Sequence, residues 1–334
     1  MATTVISAFN DFMKNTVNLD KERTDKARGS RNWLLEQVTA LPERDDKFPK
    51  LYSDIDIHFG SFSRRTKIHP LDDIDLMIGL GGDSCTYGEE ADRVIIYTNE
   101  TTLRLKNYTH SYPDDNLLNS RKIVEAFKSG LKQVAQYEQA DIKRNHEAAT
   151  LKLKSYEWNF DIVPCFITRE DSLGNNFYLI PDGNGHWKKT DPRIDKKRTS
   201  DINVRLDGNV LNVIRAVKYW QRRATMPTMS SYLLETILLN YFSTRTSCSS
   251  YVDLELENIF NHLVSIVYCS VNDTKGFIDD LNDLTQDERE KISARALIDR
   301  DRVSKACQLE TEDPAAAIKI WRDIFGSAFP AYGE

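Results

Sequence analysis

The sequence has few of the features that mark secreted, membrane-spanning or zinc-binding proteins. Its 334 residues include five cysteines without a CxxC pair and six histidines without zinc-ligand spacing, which argues against a zinc site and a disulfide framework. No apolar run approaches the roughly 18–20 residues of a membrane span. The N-terminal stretch has no basic segment followed by an apolar one, so secretion is not expected. We therefore expect a globular cytoplasmic protein that makes no use of a membrane.

The chain also has no excess of positive charge. It carries 45 Lys and Arg against 51 Asp and Glu, for a formal net charge of −6. Proteins that bind long nucleic acids through their overall field are usually basic. The charge balance therefore favours small anionic ligands held by a few basic residues and metal, although a local basic groove is compatible with it.

The pattern of apolar residues changes along the chain and predicts two parts. Two helices are expected before Pro42, and residues 51–180 mix short strands with helices. Residues 181–200 are rich in Gly, Pro, Asp and Lys, which is typical of a long interdomain loop. Apolar repeats of three and four follow. The pattern therefore predicts an α/β part in residues 1–200 and an α-helical part in residues 201–334.

Negative charge stands inside the strand-like stretch DDIDLMIGL, residues 72–80. Alternate residues of a strand share a face, so Asp73 and Asp75 point the same way, about 7 Å apart between Cα atoms. Ile74 and the following apolar residues at alternate positions face the core. Buried carboxylates without partners cost several kcal/mol, so the acids require a cation, a hydrogen-bond donor or a position at the edge of the sheet.

A third acid, Asp161, lies in the otherwise apolar stretch WNFDIVPCF. Taken alone, it could equally be a strand-end carboxylate bonded to an Arg or a backbone amide. Together with Asp73 and Asp75, it could hold two Mg²⁺ ions about 3.5–4 Å apart, an arrangement that activates a hydroxyl and stabilises a leaving pyrophosphate. The three acids are therefore candidate metal ligands.

A Gly-Ser pair precedes these acids. Gly60 and Ser61 follow a strand-like segment, and Asp73 comes thirteen positions after Gly60. A Gly-Ser turn before a helix lets backbone amides and a hydroxyl approach a phosphate closely. An ordinary turn explains the pair equally well by itself, so its meaning depends on the acids that follow.

The Gly-Ser pair, the Asp-x-Asp strand and the later lone Asp together resemble the polymerase-β-like nucleotidyltransferase superfamily. The stretch VKYWQRRATMPTMSSYLLE, residues 217–235, is similar to the branch that contains oligoadenylate synthase and cyclic GMP-AMP synthase. The closing stretch IKIWRDIFGSAFP is similar to the end of bacterial CD-NTases, the cyclic-oligonucleotide synthases of anti-phage (CBASS) signalling. The resemblance spans nearly the whole chain.

This resemblance implies a role for each motif residue. Gly60 and Ser61 would hold the donor triphosphate, and Asp73, Asp75 and Asp161 would bind two Mg²⁺ ions, with Mn²⁺ as a possible substitute. Asp161 would also help to deprotonate the acceptor hydroxyl. The fold that the resemblance implies is α+β: a polymerase-β-like nucleotidyltransferase core with a mixed sheet in residues 1–200, followed by an α-helical nucleotide-binding domain in residues 201–334.

Three residues of the helical half complete the predicted nucleotide site. By resemblance, Lys218 reaches the triphosphate, Ser231 contacts phosphate and Tyr232 stacks under the base. The alternative for Ser231 and Tyr232 is a helix N-cap followed by a core tyrosine. A lysine at residue 218 also suits phosphate recognition as a point charge.

The expected activity is the joining of NTPs, ATP among them, into a cyclic di- or trinucleotide second messenger with release of pyrophosphate. A separate effector protein would read the product, and a regulatory protein could control the enzyme. Direct activation by nucleic acid is not expected, because the chain has no zinc-binding insertion and no long basic run. Two alternatives stay open: transfer of nucleotides to an RNA end or another acceptor, and a catalytically silent nucleotide-binding relative.

Overall fold

A computed structural model describes residues 1–333 of the chain. These residues fold into two compact units, and both units are discontinuous in sequence. The sheet unit contains residues 21–63 and 71–193, and the helical unit contains residues 1–20, residues 64–70 and the chain from Ile194 onward. The short segment 64–70 therefore belongs to the helical unit although both of its neighbours in sequence belong to the sheet unit.

Helices and strands alternate in the first two thirds of the described chain, and helices alone follow. The α-helices are α1 (Val5–Phe12), α2 (Lys21–Thr39), α3 (Leu41–Arg44), α4 (Gly60–Ser63), α5 (Ser120–Lys132), α6 (Pro192–Arg205), α7 (Val210–Gln221), α8 (Ser231–Ser243), α9 (Val252–Ile266), α10 (Gln286–Leu309) and α11 (Pro314–Phe325). The strands are β1 (Ile57–Phe59), β2 (Asp73–Gly79), β3 (Thr86–Glu89), β4 (Val94–Tyr97), β5 (Asp141–Asn145), β6 (Ala148–Lys152), β7 (Asn159–Ile167), β8 (Tyr178–Pro181) and β9 (Trp187–Thr190). A π-helical turn, Met13–Val17, follows α1.

The sheet unit is built on one mixed sheet. Over the described residues its main path runs β1-β2-β7-β8-β9-β4-β3, while β6 pairs with both β7 and β5. Strands β2 and β7 are parallel neighbours, and the other pairings are antiparallel. Helix α5 is amphipathic and buries Ile123, Val124, Phe127 and Leu131. Helix α5 contacts strands β5, β6, β7 and β8 and therefore covers part of the sheet.

An aromatic cluster explains why the N-terminal helix belongs to the helical unit. Phe9 of α1 packs edge-on against Trp321 of α11, with 4.7 Å between the ring centroids. Phe12 contacts Phe325 and Phe329 with tilted rings, at centroid distances of 4.9 Å and 5.0 Å. Aromatic pairs at such distances stabilise beyond the area they bury. The first and last helices of the described chain therefore share one core.

The prediction of a long interdomain loop at residues 181–200 is wrong. Residues Trp187–Thr190 form β9, which pairs with β8, and α6 begins at Pro192. Gly183 and Gly185 have positive φ angles of 86° and 109° and form the turn between these strands. Trp187 is fully buried and donates its Nε1–H to the Leu118 carbonyl at 3.1 Å. A hairpin turn and a linker share the same Gly- and Asp-rich composition, so composition alone could not separate them.

The boundaries of the two units also differ from a single domain boundary at residue 200. Residues 1–20 and 64–70 join the helical unit, and the change of unit after Arg193 falls within helix α6. The difference arises because long-range packing of α1, rather than chain order, decides which core a segment joins. Within residues 1–333, no helix combines the length and the hydropathy that crossing a membrane requires.

Candidate metal and nucleotide site

Three carboxylates of the sheet unit converge on one point. Asp75 of β2 lies directly opposite Asp161 of β7 in the parallel register, and Asp73 precedes Asp75 by two residues on the same strand. One oxygen from each of the three carboxylates lies within 4.8 Å of the other two. All three side chains are half-buried. The structure therefore brings together the three acids that the sequence singled out.

Alternation of side chains along the two strands places the acids on one face. Ile74, Leu76 and Ile78 of β2 are at most 2% exposed. On β7, Phe160 and Ile162 on either side of Asp161 are fully buried. Because neighbouring residues of a strand point to opposite faces, burial of the apolar residues turns the carboxylates to the other face. Burial of these apolar side chains thus stabilises the arrangement that places the three carboxylates on one face.

A third strand supplies a hydrogen bond to this cluster. Thr150 of β6 lies opposite Asp161 in the antiparallel register, and its Oγ1 donates to Asp161 Oδ1 at 2.5 Å. This bond fixes the orientation of one carboxylate while the other oxygen remains for a ligand. Sequence reasoning missed Thr150, because its relation to Asp161 becomes visible only when the register of β6 and β7 is known.

Gly60 lies against the acidic cluster. Its φ is 69°, in the region that favours glycine, and a Cβ at this position would overlap the Asp75 carboxylate. Gly60 starts the single helical turn Gly60–Ser63, which also contains the half-buried Ser61. The Ser63 hydroxyl donates to the His58 carbonyl at 2.7 Å and ties this turn back to β1. Glycine is therefore required by close approach as well as by backbone conformation.

The donor set suits a divalent cation. Three carboxylates packed this closely repel one another when ionised, and hard cations such as Mg²⁺ and Mn²⁺ take oxygen ligands. Like charges on one face of a strand pair are destabilising unless something compensates them. The cluster is thus chemically matched to a metal centre on the sheet unit.

The structure places Lys218 in a buried ion pair of the helical unit. Its Nζ donates to Glu235 Oε1 at 2.6 Å, and the Lys218 residue is 6% exposed. Burial lowers the pKa of Lys218, and the charge and hydrogen bond of Glu235 oppose that shift. Lys218 is therefore part of a buried ionic cluster.

Helix α8 begins at Ser231, and Ser230 is its N-cap. The Ser230 Oγ accepts from the Tyr232 backbone N–H at 3.3 Å, whereas the Ser231 side chain is exposed. The capping role thus falls to Ser230 and leaves the Ser231 hydroxyl outside the cap.

Tyr232 is fixed at both its hydroxyl and its ring. The hydroxyl lies 2.8 Å from Asp195 Oδ1 and 3.1 Å from Asp273 Oδ1. Lys275 Nζ stands 4.0 Å from the centre of the ring and forms ion pairs with both aspartates at 3.2 Å. Burial, followed by the negative charge of Asp195, raises the pKa of Tyr232, so the phenol stays protonated. The sequence did not predict these contacts of Tyr232 with Asp195, Asp273 and Lys275, because these three residues lie far from Tyr232 along the chain.

The candidate residues fall into two sets. Gly60, Ser61 and the three acids lie in the sheet unit. Lys218, Ser231 and Tyr232 lie in the helical unit. The first set contains the carboxylates that suit a metal ion. The second contains a lysine, a serine hydroxyl and a tyrosine ring, the groups expected to contact a nucleotide.

A protein of known class matches this chain from end to end. A probable cyclic nucleotide synthase of Bacillus cereus strain VD146 is 42% identical over 336 aligned residues, which cover 100% of both chains. This chain belongs to the CD-NTase family of cyclic nucleotide synthases. No family model matches the chain.

Solved CD-NTases share the fold of this family member. CdnC of E. coli MS115-1, solved with ATP, has a TM-score of 0.70 at 17% identity and covers 98% of this chain, with 99% of CdnC matched. DncV of Vibrio cholerae, a cyclic AMP-GMP synthase, has a TM-score of 0.68 at 14% identity, with 98% of each chain covered. The predicted CD-NTase resemblance and α+β nucleotidyltransferase fold are both confirmed.

Proposed function

We propose that this CD-NTase joins nucleoside triphosphates, with release of pyrophosphate, and closes them into a cyclic di- or trinucleotide. The observation that carries this proposal is the acidic cluster. Asp75 and Asp161 stand opposite each other on parallel strands, Asp73 shares their face, and the three carboxylates lie within 4.8 Å. The full-length relation to a cyclic nucleotide synthase supports the cyclic product.

Asp73, Asp75 and Asp161 would hold two Mg²⁺ ions, or Mn²⁺ in their place. When bound, the metal supplies positive charge that stabilises the transferring phosphate and the leaving pyrophosphate. Thr150 holds Asp161 in one orientation through its 2.5 Å hydrogen bond. The missing side chain at Gly60 leaves room for the Asp75 carboxylate. Together these contacts keep the acids preorganised.

In each transfer, an acceptor hydroxyl oxygen forms a bond to the α-phosphorus of the donor. The bond from that phosphorus to the bridging oxygen of pyrophosphate breaks, and pyrophosphate leaves with the electron pair. Asp161 would receive the hydroxyl proton, in keeping with general-base catalysis by a positioned carboxylate. Because each later transfer attacks or closes the product of the transfer before it, one set of acids serves every bond of the ring.

The remaining candidates would bind the nucleotide. Gly60 and Ser61 would present an amide and a hydroxyl to the triphosphate. Lys218 carries three N–H donors, one of which is bonded to Glu235, so two others could serve phosphate. By the family resemblance, Tyr232 would stack under a base, and the exposed Ser231 hydroxyl would contact phosphate.

We place the enzyme in cytoplasmic anti-phage (CBASS) signalling, where a separate effector would read the product. Control by a protein partner is supported by CdnC of E. coli MS115-1, which has been solved as a complex with HORMA-deltaN. Direct nucleic-acid activation has less support, because the net charge of this chain is −6.

The test is to incubate the purified full-length chain with all four NTPs and Mg²⁺ or Mn²⁺, treat the mixture with phosphatase, and analyse it by mass spectrometry. The expected result is a phosphatase-resistant cyclic oligonucleotide together with pyrophosphate. Elongation of an added RNA without a cyclic product would favour the RNA-end alternative. Absence of both pyrophosphate and product, with NTP binding retained, would favour a silent relative or an enzyme that requires a regulatory protein.

A further inference from the structure

A single buried carboxylate organises the ionic cluster of the helical unit. Glu235 of α8 is 1% exposed. Its Oε1 accepts from Lys218 of α7 at 2.6 Å, and its Oε2 accepts from Arg64 Nε at 3.0 Å and from the Thr66 hydroxyl at 2.9 Å. One anion thus connects two helices to the segment 64–70.

This carboxylate stays ionised because its partners outweigh its burial. Desolvation raises the pKa of Glu235, but the charges and hydrogen bonds of Arg64 and Lys218 hold it below its ordinary value. The same partner charge raises the pKa of Arg64 against the effect of burial. Removing one member of a buried ion cluster leaves the others uncompensated, so the geometry depends on Glu235.

The segment held by Glu235 has a special place in the chain. Residues 64–70 follow directly after the Gly60–Ser63 turn and end three residues before Asp73. Both ends of the segment therefore lead into the metal and phosphate motif of the sheet unit.

Arg215 of α7 and Arg222, the C-cap residue of α7, bond to the backbone of this segment. Arg215 donates to the Arg65 carbonyl at 3.2 Å, and Arg222 donates to the His69 carbonyl at 3.4 Å. Arg65 has a φ of 63°, an uncommon conformation for a residue with a side chain. The helical unit thus holds segment 64–70 at both its side chains and its backbone.

We propose that Glu235 is a positioning residue for nucleotidyl transfer, because it anchors the segment that joins the Gly60–Ser61 turn to Asp73 and Asp75. This inference rests on the function proposed above. Through Arg64 and Thr66, Glu235 fixes the covalent connection between the two halves of the motif. Through Lys218 it also fixes an ammonium group beside that connection. Small displacements of such motifs have large effects on rate.

The decisive variant is Glu235→Gln, which keeps the shape of the side chain and removes its charge. The two readouts are the affinity of the full-length protein for Mn²⁺, measured by electron paramagnetic resonance, and kcat against KM for NTP. We expect an about tenfold or greater loss of Mn²⁺ affinity and a similar fall in kcat. KM should change little or fall, because the variant removes a negative charge and leaves the charges of Lys218 and Arg64 unbalanced.

The matched control is Asp299→Asn. Asp299 is also fully buried and ion-paired, with Arg295 at 2.5 Å and Arg302 at 2.9 Å, but none of these residues contacts segment 64–70 in the hydrogen bonds of the described chain. Its substitution should lower the melting temperature and leave Mn²⁺ affinity and kcat per folded molecule unchanged. A merely structural role for Glu235 would make the two variants behave alike.

Two milder variants keep the proposal testable if Glu235→Gln does not fold. Thr66→Val removes one hydrogen bond to Glu235, and Arg64→Lys keeps the charge but loses the guanidinium geometry. Both should weaken Mn²⁺ binding in the same direction by a smaller factor. Wild-type Mn²⁺ affinity and kcat in these folded variants would overturn the proposal. Failure of the wild-type chain to make any product would instead count against the proposed function, because the Mn²⁺ comparison is independent of turnover.

Discussion

Gly60 and Asp75 are so close that no side chain can stand between them. A Cβ at residue 60 would overlap the Asp75 carboxylate, and the positive φ of Gly60, 69°, is itself unfavourable for other residues. The two residues belong to different elements, the α4 turn and strand β2. The acidic cluster therefore depends on the absence of a side chain as much as on the presence of three carboxylates.

Gly60→Ala should reduce nucleotidyl transfer by about 100-fold or more, since a displacement of about 1 Å at a reacting centre can cost that much. The measurement is initial rate of pyrophosphate release. Gly174→Ala is the matched control, because Gly174 also has a positive φ of 80° but nothing within 4 Å of its added Cβ. Equal losses in both variants would contradict the account, because backbone strain alone would then explain the effect.

Asp73→Asn and Asp75→Asn should stabilise the metal-free protein and abolish its stabilisation by metal. Removing one negative charge relieves repulsion within the cluster, whereas a ligand that binds only the folded state raises its melting temperature. The measurement is the melting temperature with and without Mn²⁺. Asp92→Asn, at an exposed position, should keep the metal-dependent rise. A full rise in Asp75→Asn would mean that the cation binds elsewhere.

Thr150→Val should lower kcat about tenfold while leaving the fold intact, because partners that orient a metal-binding carboxylate typically contribute that much. The variant removes the donor to Asp161 and keeps the β-branched shape that suits strand β6. Thr150→Ser, which retains a hydroxyl, should recover much of the rate. Unchanged kcat in Thr150→Val would show that Asp161 needs no such orientation.

Asp253 should make stability depend on pH. This residue of α9 is 2% exposed, and burial raises its pKa from 3.8 to about 6. Between these values the folded protein keeps a proton that the unfolded chain has lost, so the stability contributed by Asp253 falls as pH rises from about 4 to about 6.

Asp253→Asn should remove this fall. The variant should match the wild type near pH 3.5 and exceed it at pH 7 by up to about 3 kcal/mol, at 1.36 kcal/mol per pKa unit. Melting temperatures at the two pH values measure the difference. A variant that is less stable than the wild type at pH 7 would show that the ionised carboxylate is favourable in the fold.

The acids could be predicted from sequence because their signal is local. The alternation of Asp73, Ile74 and Asp75 fixes which face each side chain takes, and Asp161 stands out in an apolar stretch. The helical character of the C-terminal part could also be predicted, because its apolar residues repeat every three and four positions. The structure has helices α7 through α11 in this part of the chain.

The contacts that hold the site could not be predicted because they join distant parts of the chain. Thr150 reaches Asp161 only through the strand register, and Glu235 lies 171 residues from Arg64. The hairpin at residues 181–190 looked like a linker because turn residues carry no information about the strands that they connect. Tertiary packing decides such features, and local patterns do not record it.

The most direct test of the account is the dependence of pyrophosphate release on Mg²⁺ in the wild type and in Asp75→Asn, with NTPs as the only substrates. Release by the wild type should stop when Mg²⁺ is chelated and return when Mg²⁺ or Mn²⁺ is restored. A large loss is expected when one acid of the cluster is replaced. The loss in Asp75→Asn should be at least about 1,000-fold, equivalent to about 4 kcal/mol of transition-state stabilisation, with no loss in Asp92→Asn. Near-normal release by Asp75→Asn, or release that persists in the absence of a divalent cation, would contradict the assignment of the acidic cluster as the catalytic centre.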